Sequence, residues 1–258
     1  MRGTLLIGAA FSAALLAFAA PASASLIASY NFNEVSGSIA HPTVGAIDGT
    51  LVGDASFVGG GVQGNAVSMT ADGNGLVDFG TSLMPSNPFS VQIWVNTTSG
   101  SGAPLSYHTA TVVAGFILGI GDIGDGCGGT AGTVSFYVAY PCSGHSVTAV
   151  NDGEWHQLVG VFTGSQTLVY VDGTLETGSP GGNPLNAAPA NTVFSAGGVT
   201  VAGVPKASYN GLLDNLQLYD HALSGTEVLE LYNSQVPVPA TLSLIGAGLL
   251  ALGLKRRA

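Results

Sequence analysis

Fifteen carboxylates and five imidazoles are the groups in this 258-residue chain that could move protons or hold a metal. Their spacing restricts both uses. Hydrolysis of a glycosidic bond needs two carboxyl groups across one bond, about 5–10 Å apart. The five glutamates are Glu34, Glu154, Glu176, Glu227 and Glu230. The closest acidic pairs are Asp152/Glu154 and Glu227/Glu230, and a turn and a helix surface account for them. His-Glu-x-x-His, Gly-x-Ser-x-Gly and a phosphate loop are absent from the sequence. Ser143-Gly-His145 has no visible third partner. His156 reads as a strand residue hydrogen-bonded across the sheet rather than a catalyst. The chain is therefore expected not to be an enzyme. Carbohydrate binding asks for different groups: an aromatic face for the C–H side of a sugar, and Asn, Asp or Gln for its hydroxyls. Trp94, Tyr107, His108, Tyr137, Tyr140 and Tyr209 have the right type, and Trp94, Tyr107 and Tyr209 are the candidate ligand contacts. Core packing would use the same residues equally well.

These residues must be positioned by strands. Short apolar or alternating runs bounded by Gly, Asn, Asp or Pro recur along the body, and helical periodicity is nearly absent. Strands are expected over 26–32, 49–52, 55–58, 65–69, 75–79, 89–95, 112–120, 134–140, 156–162, 167–171 and 212–219. In the sixth, Phe89, Val91, Ile93 and Val95 share one face, and Ser90, Gln92 and Trp94 the other. Asp172-Gly173 is a tight hairpin turn. Ser224-Gly-Thr-Glu227 has capping-box spacing and opens the one clear helix, about Gly225 to Asn233. The expected fold is all-β: a two-sheet antiparallel jelly-roll sandwich with one short C-terminal helix.

The two ends differ from the body. Arg2, the apolar stretch Leu5 to Phe18 and the small-residue site Ala22-Ser23-Ala24 read as a signal peptide over 1–24, with a mature start at Ser25. At the other end Val236 to Ala258 holds two prolines, an uncharged run from Ala240 to Leu254, and Lys255, Arg256 and Arg257. That is the pattern of a short membrane segment with basic residues on its cytoplasmic side. Residues 25–235 form one domain-sized body. It carries all fifteen acidic residues against a single lysine, Lys206, for a formal charge of −14. Such a surface repels nucleic acid and anionic lipid. Cys127 and Cys142 suit an oxidising compartment, and a disulfide between them would staple a Gly-rich loop to the end of the strand at 134–140, worth about 3 kcal/mol.

Several segments carry a resemblance in order: Tyr30-Asn-Phe-Asn-Glu34, Asp48-Gly-Thr-Leu51, Asn151-Asp-Gly-Glu-Trp-His156, Val169-Tyr-Val-Asp-Gly173, Asn210 to Tyr219, and Asp220 to Tyr232. Together they are similar to the LamG-like jelly rolls of the concanavalin A-like superfamily. The resemblance implies a glycan-binding or other extracellular ligand-binding domain. It also implies a structural Ca²⁺ held by Asp214, with Asn33 and Asp48 beside it; Asn33 stands where many relatives have Asp, which lowers the charge of the site. The tail resembles the PEP-CTERM sorting signal. Pro237 and Pro239, the apolar run and the Lys255–Arg257 cluster match, while Val238 replaces the family's Glu. This implies an exosortase-type processing enzyme, transient residence in the inner membrane, and delivery to the cell surface or extracellular matrix of a Gram-negative bacterium. A purely structural or adhesive protein of an exopolysaccharide or biofilm matrix is the alternative, and a polysaccharide-modifying enzyme the third.

Overall fold

A computed structural model describes residues 25–70, 74–109, 112–123, 128–139, 144–180, 192–201, 204–206 and 208–236. Cys127, Cys142, Tyr140, the N-terminal leader and the tail from Pro237 onward lie outside the described residues. Among those described, no helix is long and apolar enough to cross a membrane.

The strands in chain order are β1 Leu26–Tyr30, β2 Ile39–Ala40, β3 Gly49–Val52, β4 Ser56–Gly61, β5 Gly64–Met69, β6 Leu76–Asp78, β7 Phe89–Asn96, β8 Gly102–Thr109 and β9 Val112–Ile120. They continue as β10 Thr133–Val138, β11 His145–Ala149, β12 Trp155–Phe162, β13 Gln166–Val171, β14 Thr174–Pro180, β15 Val193–Ala196, β16 Val199–Val201, β17 Val204–Lys206 and β18 Gly211–Tyr219. The single helix, α1, is Gly225–Gln235. The first sheet runs β14-β13-β12-β7-β18-β5-β4, with β1 also on β18; the second runs β11-β10-β9-β8-β15-β6-β3-β2. The expected antiparallel sandwich with one late helix is what forms.

The core lies between the sheets. Phe89 of β7 sits at its centre, 5.2 Å from Phe116, 5.7 Å from Phe162 and 6.1 Å from Phe136, measured between ring centroids. Each such ring, fully buried, contributes about 1.5–3 kcal/mol. Gly160 of β12 admits this packing: a Cβ there would lie 2.6 Å from the Phe136 ring.

Strand β7 is buried on both faces from Phe89 to Val95. Its inward residues meet the phenylalanine core. Its outward residues are roofed by two separate pieces. Helix α1 and the turn leading into it cover one part, packing Val228 and Leu223 against Val159, Val161, Tyr170 and Tyr219. The tip of the β4–β5 hairpin covers another, burying its own Val62 and bonding Asp214 below. On the second sheet the β16–β17 ribbon brings Val199 against Ala103, Ile117 and Tyr137.

Several boundaries differ from expectation for identifiable reasons. The first strand stops at Tyr30 because Phe32 turns to a positive φ of 48°, and β10 stops at Val138 because Ala139 has φ 46°. Strands β8, β11 and β15 to β17 carry Gly, Pro, Ser and Thr within them, so their apolar alternation is weak. The helix runs two residues past Asn233, to Gln235.

Candidate functional site

The outward face of the first sheet gathers the chemistry. Asp214 lies on β18 opposite Trp94 of β7, where a register shift separates it from Gln217. It is fully buried. Its Oδ2 accepts the Val62 N–H at 2.7 Å and the Gln63 N–H at 3.4 Å, and its Oδ1 accepts the Asn215 N–H at 2.7 Å. Burial pushes the carboxyl up to about 7, against the pull of those three N–H donors. Asn33 grips the same hairpin from its other side: its Oδ1 accepts the Asn65 N–H at 2.8 Å, and the Asn65 amide donates to the Glu34 carbonyl at 3.0 Å. A Cβ on Gly64 would collide with that Asn33 oxygen, and Gly64 has φ +101°.

Asn33 and Asp214 thus converge on one turn, as fasteners of backbone. Asp48 stands apart, exposed, with its Oδ1 2.9 Å from His41 Nδ1. This donor set does not fit the expected Ca²⁺. A calcium site presents about six to eight oxygens, whereas the groups turned toward the Asp214 carboxylate are N–H dipoles with their positive ends inward. Among the described residues no three His, Cys, Asp or Glu side chains come together as metal ligands.

Next to Asp214 runs a chain of side-chain amides. The carboxamide of Gln235, the last helical residue, enters from above. Its Oε1 accepts from Trp94 Nε1 at 2.6 Å and Gln92 Nε2 at 2.9 Å, and its Nε2 donates to Gln217 Oε1 at 3.3 Å. Gln92 also donates to the Asn215 carbonyl at 2.8 Å and accepts from Gln157 Nε2 at 3.0 Å. The Gln63 amide of the hairpin tip reaches the Gln235 carbonyl at 3.4 Å, so the two roof pieces meet there. Tyr232 stacks on Trp94, with ring centroids 5.7 Å apart.

The three aromatic candidates are therefore corrected. Trp94 is 2% exposed, beneath α1 and the hairpin. Tyr107 is fully buried between the sheets, with its hydroxyl 3.3 Å from Met84 sulfur. Tyr209 is 1% exposed, donating toward the carbonyls of Asn96 and Leu212 at 3.0 Å. Each ring is packing surface, and none offers a face to a ligand. Alternation put Trp94 on the face opposite Phe89 and left open whether that face is covered; the roof over it left no periodic signal.

An open cleft of about 340 Å³ lies along the β18 side of the helix, lined by Tyr219, Leu223, Glu227, Glu230, Leu231 and Ser234. Its floor is apolar, its rim holds two carboxylates and a hydroxyl, and Glu230 and Ser234 are exposed. Glu227 is partly committed elsewhere. Its Oε2 accepts the Ser224 N–H at 2.7 Å, and its own N–H donates to Ser224 Oγ at 3.3 Å, a capping box whose hydrogen bonds hold its carboxyl below the usual range. The Tyr219 hydroxyl donates to Gln217 Oε1 at 2.8 Å, which connects the cleft to the amide chain. In the sequence Glu227 and Glu230 read as a helix surface, and nothing local signals Tyr219 opposite them.

At the other end of the sheet His156 lies between Asp172, 2.7 Å from Nδ1, and Asp152, 3.2 Å from Nε2. Both carboxylates raise its pKa, Asp172 most, against the effect of burial. Asp172 also accepts the Gln157 N–H at 2.8 Å, so the cluster ties the β13–β14 turn to β12.

A sequence model of the concanavalin A-like lectin/glucanases superfamily matches residues 71–229, and one of the PEP-CTERM protein-sorting motif matches residues 235–257. No curated protein matches the chain. Among solved structures, domain 4 of AbnA, an extracellular GH43 arabinanase of Geobacillus stearothermophilus in complex with arabinotriose, aligns with TM-score 0.61 at 21% identity, covering 81% of this chain and 98% of that domain. A Trypanosoma rangeli sialidase in complex with sialic acid aligns at TM-score 0.54 and 17% identity, with 81% of this chain on 33% of the enzyme. The receptor-binding domain of botulinum neurotoxin type G aligns at TM-score 0.55 and 13% identity, over 81% of this chain and 51% of that one.

Proposed function

Because the chain belongs to the concanavalin A-like lectin/glucanases superfamily and carries a PEP-CTERM sorting motif, we propose that it is an exported, non-enzymatic glycan-binding module. The helix-side cleft is the contact surface. One observation carries this most: the cleft joins an apolar floor, Leu223, Leu231 and the edge of Tyr219, to hydrogen-bonding groups on Glu227, Glu230 and Ser234. A sugar presents the complementary pair, a C–H face and a fringe of hydroxyls, and a concave site with few convergent polar groups suits it. The likeness to an arabinanase domain solved with arabinotriose supports the same class of ligand.

The acidic residues support a binding rather than a catalytic role. Glu34 Oε1 accepts the His41 N–H at 2.7 Å, Glu176 Oε2 accepts the Val147 N–H at 2.9 Å, Glu227 caps the helix, and Asp214 fastens the hairpin. Those groups serve the fold. Export would use the leader over 1–24. The tail would hold the protein in the inner membrane until an exosortase-type enzyme processes it, leaving the domain at the surface or in the matrix.

A glycan array probed with the full chain in detergent tests the proposal, together with a reducing-sugar assay on each glycan bound. Binding without sugar release is the expected result. Sugar release would contradict the non-enzymatic role, and silence on every glycan would favour a structural matrix protein.

A further inference from the structure

The pocket around the Gln235 side chain has the pattern of a receptor for a carboxamide. Two N–H donors, from Trp94 and Gln92, converge on its Oε1, and an acceptor, Gln217 Oε1, faces its N–H. A hydroxyl would have to meet all three groups from a single oxygen, whereas here the acceptor and the donor are two separate atoms of one carboxamide plane, Oε1 and Nε2. The walls have holds other than the Gln235 side chain, one of them on the helix that carries it. Trp94 is stacked on Tyr232, and Gln92 is held by the Asn215 carbonyl and by Gln157.

The occupant is an imperfect match. Its bond to Gln217, at 3.3 Å, is the longest of the three side-chain contacts. Gln235 is also the last residue of α1, where helices open at least cost. Gln217 Oε1 receives both the Gln235 amide and the Tyr219 hydroxyl, so the slot adjoins the cleft floor.

We propose that the slot, once the Gln235 side chain leaves it, admits the acetamido group of an N-acetylated sugar seated in the adjoining cleft. The acetamido carbonyl takes the place of Gln235 Oε1 and its N–H the place of Nε2. This rests on the cleft being a glycan site, and it names N-acetylated sugars as the class favoured there.

The test uses the full chain in detergent, as wild type and Gln235→Ala, titrated with N-acetylglucosamine and with glucose; acetamide alone is a third probe, read by thermal shift. The expected result is at least a tenfold preference of Gln235→Ala for N-acetylglucosamine over glucose. Wild type shows little preference, acetamide raises the melting temperature of Gln235→Ala alone, and both effects vanish when Trp94→Phe removes the indole N–H. If Gln235→Ala fails to fold, Gln235→Ser replaces it. Equal affinities for the two sugars with no acetamide effect overturn the proposal, and glucose binding retained in wild type then leaves the cleft standing without the slot. An acetamide effect without binding of either sugar keeps the carboxamide slot and overturns its link to a glycan in the cleft.

Discussion

At the scale of single residues, Asp214 carries the calcium expectation that the family resemblance implied. Its sequence context pointed to a calcium ligand, and the fold turns three backbone N–H groups on it instead. Asp214→Ala should cost about 2–3 kcal/mol in denaturant melts, because it leaves the buried Val62 N–H without an acceptor. The same geometry predicts that added Ca²⁺, compared with EDTA, leaves the melting temperature unchanged. A rise of several degrees that disappears in Asp214→Ala would show a cation there after all. Asn33 and Asp214 were legible as a related pair only through the family resemblance, which assigned both to one site. That both act on the turn at 61–65 was not, since no local pattern links residue 62 to residue 214.

At the scale of elements, the helix was the most legible part. Ser224 and Glu227 are a local signal, three residues apart, and the capping box forms as that spacing requires. Ser224→Ala should lose about 1 kcal/mol in chemical unfolding, with no change in the β-sheet circular dichroism. The last turn was invisible beforehand. Gln235 reads as a polar residue before a proline-rich tail, and only its seat among Gln92, Trp94 and Gln217 extends the helix to it. The strands follow the same division. Strand β7 alternates and was found; β8 and β15 to β17 are positioned by neighbours distant in sequence and were not. Gly160→Val, directed at the Phe136 ring, should destabilise by about 1–3 kcal/mol through overpacking, measurable as a lower urea midpoint.

For the whole molecule, charge sets the pH response. Asp214, raised to about 7, contributes stability that is full below its ordinary 3.8 and is lost as pH rises through 7. His156 acts in the same direction: raised above 6.5 by Asp172 and Asp152, it contributes fully below 6.5 and loses its contribution as pH climbs through its folded value. Glu176 and Glu227 oppose them, since their carboxyls are lowered from 4.5 and their contributions are lost only as pH falls through their folded values. The melting temperature should therefore rise as pH drops from 8 to about 5 and fall below about 4. Asp214→Asn should flatten the upper part of that profile at constant ionic strength; an unchanged slope would separate it from Asp214. Acidity, export and sorting were legible in composition and in the chain ends, because those signals are linear in sequence. The cleft was not, because Tyr219 and Glu230 meet only when α1 lies down on β18. Its role is tested most directly by calorimetric titration of wild type and Glu230→Lys with the best glycan from the array. Glu230→Lys should lose at least tenfold in affinity, with its melting temperature unchanged because residue 230 is exposed. Equal affinity in the two proteins would contradict it.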